Sequence, residues 1–246
     1  MTEHVSTRQL KFYVTAEAPC PYLAGKMEKK VFAHLPYADG AAVNDALSHA
    51  GFRRSQNIAY RPSCETCAAC VSVRIPVHAY VMNRTDRKVR NRNQDLVRRV
   101  VDPIATAEQY DLLKAYLAAR HPGGGMNEMS ESDFVTMVED SSVRTHVVEY
   151  RLPEAEGERG RLVGFAIIDL LADGLSMVYS AYDPELPNRS LGRFIVLDQL
   201  HQSSVVALPY LYLGYWVKGA PTMDYKAQYQ PLEGLTLFGW QTLQID

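Results

Sequence analysis

Long apolar runs are missing from this sequence of 246 residues, and no stretch approaches the ~20 residues that a helix needs to cross a bilayer. The opening MTEHVSTRQLKFYVT lacks the apolar centre of a secretory signal. A cytoplasmic protein with no membrane partner is the expectation. Cysteine is scarce, at 4 residues, which sets aside a disulfide-stapled secreted scaffold. There is no P-loop, no HExxH zinc motif and no Ser-His-Asp spacing, and the 7 histidines show no pairing. A covalent intermediate is therefore not indicated. Repeats and low-complexity tracts are also absent. With 47% hydrophobic and 22% charged residues, the balance is that of a globular protein and excludes disorder, collagen and coiled coil.

What is present is a lopsided charge. Residues 1–99 carry 16 Lys and Arg against 8 Asp and Glu, while residues 100–246 carry 10 against 20. A basic front and an acidic back fit a polyanionic partner docking at the front. Mutual attraction of the two halves is the plainer alternative.

Along the chain, Pro19, Pro21, Pro36, Pro62 and Pro76 break the front into short pieces. One helix is expected over 41–50, closed by Gly51, with strands over 57–60 and 70–75. From Leu96 the pattern sharpens. A strand over 96–102 stops at Pro103, and a helix runs from Thr106 to His121 with Tyr110, Leu113 and Leu117 on one face. Pro122 and the glycines 123–125 break it, and Ser130 with Asp133 forms a capping box for a second helix. Strands over 143–152, 161–171 and 175–182 follow, joined by an acidic loop at 154–160 and the turn Asp173-Gly174. A helix over 190–206 and a strand over 210–216 complete the order.

The fold class is α+β. A small irregular cysteine-containing domain is expected over 1–95, and over 96–246 a domain with a mixed, mostly antiparallel sheet. The element order of the second resembles the GNAT-like acyltransferase fold, whose site lies where two central strands splay. On that analogy YDPELPNRSLGRF is an anion-cradling loop at a helix N-terminus, with Arg189, Ser190 and Gly192 suited to it. Phe194, at the sixth position counted from Arg189, is a bulky ring expected to crowd a pyrophosphate, which counts against coenzyme A.

Three clusters carry chemistry. Cys64, Cys67 and Cys70 form CETCAAC, and the remote Cys20 makes four thiols, the usual number for zinc or an iron–sulfur cluster. Four reduced thiols packed together are the alternative. The run NRTDRKVRNRNQDLVRR holds Arg84, Arg87, Lys88, Arg90, Arg92, Arg98 and Arg99 against Asp86 and Asp95. That excess suits phosphate neutralisation, with a solvated basic face as the alternative. Upstream, Arg53, Arg54 and Arg61 lie close to Phe52 and Tyr60, rings that stack on unpaired bases. In the third cluster, YLYLGYWVKGAPTMDYKAQYQ, simple alternation places Tyr210, Tyr212 and Trp216 on one face. Lys226, next to Tyr225, is the lysine there best placed to meet an anion.

Together GFRRSQNIAYRP with its cysteine run, SMVYSAYDPELPNRSLGRF and YLGYWVKGAPTMDYKAQYQPLE resemble the aminoacyl-tRNA–protein transferases, from about Tyr13 to Leu232. The length and the CETCAAC form resemble the bacterial aspartate/glutamate leucyltransferase branch. The resemblance implies transfer of an amino acid, Leu or Arg, from aminoacyl-tRNA to proteins beginning with Asp or Glu, marking them for degradation by the N-degron pathway. It implies no cofactor for the chemistry itself, and it agrees with a GNAT-like fold. Under it Asp183 is a candidate base, and Arg53, Arg54, Tyr60, Tyr225 and Lys226 candidates for substrate binding. Arg84, Arg87, Lys88, Arg90, Arg189 and Arg193 are candidates for tRNA. A coenzyme A-dependent acetyltransferase and a non-catalytic RNA-binding module are the rival readings.

Overall fold

The computed structural model describes residues 10–123, 125–154 and 159–244. The first nine residues, Gly124 of the glycine triplet and residues 155–158 of the acidic loop lie outside that description.

The front of the chain forms β1 (Phe12–Val14), β2 (Ala18–Pro19), β3 (Met27–Glu28), β4 (Lys30–His34), α1 (Gly40–His49), β5 (Arg53–Ser55), β6 (Ile58–Pro62) and β7 (Cys70–Pro76). Next come α2 (Arg84–Arg92), β8 (Val97–Val101), α3 (Ala107–Arg120) and α4 (Glu131–Glu139). The rest forms β9 (Thr145–Arg151), β10 (Leu162–Leu170), β11 (Gly174–Tyr182), α5 (Leu191–Val205), β12 (Tyr210–Val217), β13 (Glu233–Thr236) and β14 (Gly239–Thr242). The helix expected over 41–50 and every element expected beyond Leu96 are present within one or two residues of their expected ends.

Two sheets organise these elements, with a two-stranded ribbon of β2 and β3 beside them. The smaller has the order β1-β4-β6-β5, and the larger β14-β13-β7-β12-β11-β10-β9-β8. Apart from β11 and β12, which run parallel, its neighbours pair antiparallel. A boundary near residue 95 cuts across this sheet, because β7 from the front of the chain lies between β12 and β13. Seven buried or half-buried positions in β7 explain its place: Val73 and Ile75 are fully enclosed, as a central strand requires.

Both faces of the large sheet are covered. Along β10, Phe165 and Ile167 pack towards Leu113, Leu117 and Phe134 of α3 and α4, while Ala166 and Ile168 join the cluster under Ile195 and Leu200 of α5. Each buried Leu, Ile or Phe among them contributes about 1.5–3 kcal/mol. The capping boxes Asn83/Asp86, Thr106/Gln109 and Ser130/Asp133 start α2, α3 and α4.

The common face expected for Tyr210, Tyr212 and Trp216 does not form. The register of β12 against β7 shifts between Tyr212 and Gly214, where Gly214 has φ +76°. The extra residue inverts the alternation. Leu211, Leu213 and Trp216 therefore join the core under α5. Tyr212 stays with Tyr210 beside Arg74 and bonds to Asp173, and Tyr215 turns to the small sheet, where it donates to the carbonyls of Gly51 and Tyr60.

Candidate active site

The parallel pairing of β11 and β12 covers only Gly174–Ser176 with Tyr210–Tyr212, after which the two strands part. In-sheet partners are lost there, and buried carbonyls need donors. Arg53, on β5 of the small sheet, supplies them. Its Nη1 donates to Leu213 O at 2.9 Å, and its Nη2 to Met177 O at 2.9 Å and Val178 O at 3.1 Å. The guanidinium thus fills the splay. Gly214 is what makes room, since a Cβ there would lie 1.0 Å from Arg53 Nη1. Two Arg53 N–H groups, on Nε and Nη1, have no partner among the described residues.

The adjacent Arg54 points the opposite way, as strand alternation dictates. It forks onto Asp169 at 2.5 and 2.8 Å and reaches Thr145 at 3.2 Å, both side chains almost fully enclosed. Arg54, expected to meet a substrate, is consumed in tying the small sheet to β9 and β10.

Lys226 follows β12 in a short turn and is 3% exposed. Its Nζ donates to Tyr215 O at 2.5 Å and to Met223 Sδ at 3.3 Å. Burial, with the Arg53 charge nearby, holds this amine well below the usual lysine range. Enclosed and bonded to a main-chain carbonyl and a thioether, it is not the exposed cation expected from the sequence. Tyr225 stays half-exposed, its ring centroid 5.7 Å from that Nζ.

At the N-terminus of α5 a cavity of about 230 Å³ is lined by Arg120, Tyr182, Asp183, Ser190, Gly192 and Arg193. Asp183, the candidate base, accepts from Arg161 at 2.5 Å and from the Glu185 N–H at 2.8 Å, which makes it an anchor of the loop. Phe194 does not crowd this loop. It turns into the core against Tyr150, ring centroids 5.5 Å apart, because the helix carries the sixth position round to its buried face. Instead the Tyr182 ring lies 2.7 Å from where a Cβ on residue 192 would be, so glycine is required there.

Arg189 and Arg193 stitch the molecule together. Arg189 forks onto Asp95 at 2.8 Å, holding that carboxyl below the usual carboxylate range. Arg193 binds the fully buried Asp86 at 2.6 and 2.8 Å and locks α5 to α2. The basic run itself is helical, which the sequence pattern did not disclose. Asp86, Val89 and Asn93 form its buried side, and Arg84, Arg87, Lys88 and Arg90 stand in solvent.

Tyr60 lines a second cavity, of about 530 Å³, together with Cys20, Cys64, Cys67 and Cys70. All four thiols are free and half-buried. Burial first, and then the other three thiols, push Cys70 up to about 11. The number and softness of the donors suit a metal, yet no group of three or more His, Cys, Asp or Glu among the described residues is arranged to hold one. Sequence reasoning missed Tyr22, whose hydroxyl is pushed up to about 12 by burial and by Tyr60, and Arg74, whose guanidinium lies 3.5 Å from the Tyr210 ring centroid. It also missed the reach of Arg53, although the glycine inside the β12 pattern signals close backbone approach.

Residues 18–88 match the family described as arginine-tRNA-protein transferase, N terminus, and residues 108–236 match its C terminus. The chain belongs to the arginine-tRNA-protein transferase family. Among its relatives, an aspartate/glutamate leucyltransferase of Phenylobacterium zucineum is 58% identical over 240 residues, covering 98% of this chain and 93% of that protein. One from Caulobacter vibrioides is 56% identical, covering 99% and 87%. Among solved structures, that of FemX is similar at TM-score 0.47 and 7% identity, covering 83% of this family member and 79% of that chain. The splay joins the two matched parts, β5 and the first half of α2 lying within the N-terminal match and β11 and β12 within the C-terminal one.

Proposed function

We propose that this chain transfers leucine from leucyl-tRNA to the α-amine of proteins beginning with Asp or Glu. Identity of 58% and 56% to proteins of that name, over nearly the full length, carries the reading. The donor is an ester and already activated, so alignment is the main task and no cofactor is needed. The acceptor nitrogen attacks the ester carbonyl, a C–N bond forms, and the C–O bond to the terminal ribose breaks. The amine's proton ends on the departing ribose oxygen. An α-amine with pKa about 8 is partly neutral near pH 7, so a strong base is unnecessary.

Within this reading Arg53 is the specificity residue. Its unengaged Nε–H and Nη1–H lie on different edges of the guanidinium, and either suits one oxygen of the side-chain carboxylate of an acceptor's first residue. Lys226 is buried with its Nζ turned to Tyr215 O, which leaves Arg53 as the cation available to that carboxylate. The exposed cations of α2 bind the tRNA body. The test mixes the protein with labelled Leu-tRNA or Arg-tRNA and with peptides beginning Asp, Glu or Ala. Leucine moving onto the Asp and Glu peptides alone is the expected result. Transfer from Arg-tRNA, or onto the Ala peptide equally, contradicts it, and acetylation of the peptides from acetyl coenzyme A would favour the acetyltransferase reading.

A further inference from the structure

The register of the small sheet sets one row of side chains directly across all four strands. Tyr13 pairs with Phe32, Phe32 with Tyr60, and Tyr60 with Arg53. Directly paired residues share a face, so this row lies opposite Phe12, Ala33, Ala59 and Arg54. Of that second row Ala33, Ala59 and Arg54 are buried, while Phe12, at the strand edge, is exposed and lies 5.8 Å from the buried Phe52. The first row is less enclosed, its Phe32, Tyr60 and Arg53 being half-buried. Tyr13 is 46% exposed and stacks on Phe32 at 5.5 Å and 28°, with the exposed His34 edge-on to both rings. Lys30 Nζ, which also pairs with Glu28, sits 5.7 Å over the Tyr60 ring. The row ends at Arg53 in the splay.

We propose that Tyr13, Phe32 and Tyr60 form a stacking track for the unpaired 3′ end of the donor RNA, leading its terminal ester to Arg53. The inference rests on the leucyl-tRNA reading above. Rings spaced along a sheet beside cations are how proteins hold single-stranded nucleic acid, because every base presents a π face. The order of the row supplies a direction as well. The exposed aromatic end lies towards solvent, and the cationic end lies where β11 and β12 part. The stacked rings of Tyr13 and Phe32, with His34 edge-on and Lys30 over Tyr60, suit a polyanion with bases better than an acidic peptide terminus, which offers one carboxylate and no ring, and Arg53 stays at the far end for that carboxylate.

The test uses an RNA hairpin ending in single-stranded CCA, with 2-aminopurine replacing the last adenine. Binding is expected to quench the fluorophore through stacking. Tyr13→Ala and Phe32→Ala should each weaken hairpin binding about tenfold and relieve the quench, while Tyr13→Phe and Phe32→Trp retain both. Arg87→Glu should weaken binding and leave the quench of the bound hairpin intact. Leucine transfer from Leu-tRNA is measured in parallel. Transfer by the unaltered protein with no quench, and with alanine variants that bind normally, overturns the track and leaves the activity standing. Quench without transfer supports the track and overturns the leucyl reading. Alanine variants that raise KM for an Asp peptide, with KM for Leu-tRNA unmoved, assign the face to the acceptor protein and overturn the inference.

Discussion

Two regions of this molecule are rich in arginine and use it in opposite ways. At the splay and its surroundings, Arg53, Arg54, Arg189 and Arg193 donate to carbonyls and carboxylates, several of them enclosed. On α2, Arg84, Arg87, Lys88 and Arg90 stand in solvent on the side away from Asp86 and Val89. The first set fixes geometry, and the second offers charge. A buried cation without partners is costly, so those near the core are found paired or hydrogen-bonded. A helix with one buried stripe leaves its other cations free for phosphates.

The largest effect should come from breaking the most enclosed pair. Arg54→Ala leaves Asp169 buried without its partner and should cost about 3–5 kcal/mol in urea unfolding. A loss under 1 kcal/mol would place Arg54 with the available cations. Next is Gly214→Ala, which displaces the Arg53 guanidinium from the splay. A shift of an ångström at a reacting centre costs about 100-fold, so leucine transfer should fall by about that factor, and unchanged turnover would mean that Arg53 is not held where transfer occurs.

Charge reversal on α2 sharpens the contrast from the other side. Arg87→Glu with Lys88→Glu should lower tRNA affinity uniformly and flatten the salt dependence by about one slope unit per cation, with stability within about 0.5 kcal/mol of the unaltered chain. Affinity that does not change at low salt removes α2 from the tRNA surface. Lys226 gives a signed pH effect. Folding depresses its pKa, so the unfolded chain binds a proton that the folded chain lacks, and stability rises with pH up to about the ordinary 10.5. Against Lys226→Met in urea unfolding, the unaltered protein should gain stability between pH 7 and 9, and parallel curves would mean a charged amine. The smallest effect belongs to Asp95→Asn, whose partner Arg189 lies near the surface. It should cost under about 1 kcal/mol.

The strands and helices beyond Leu96 were legible because their apolar periodicity is uninterrupted and capping residues mark their starts. The candidate site was legible only as a set of residue types. Whether Arg53 or Arg54 faces the splay depends on the parity of a three-residue strand, and a short strand leaves no periodic signal. The face of Trp216 turned on one bulge at Gly214. The helical nature of α2 was hidden because only Val89 among its nine residues is apolar, the rest of its buried side being polar Asp86. Phe194 was judged by position in a loop pattern, whereas helical geometry carries it into the core.

The central claim is that Arg53, set in the splay by Gly214, reads the acidic first residue of the acceptor. The most direct measurement compares leucine transfer onto two peptides that differ only in beginning with Asp or Asn, for the unaltered protein and for Arg53→Gln. A ratio cancels any general loss of rate. The unaltered protein should favour Asp strongly, and Arg53→Gln should bring the ratio close to one. An Arg53→Gln variant that keeps the full preference for Asp would contradict the account.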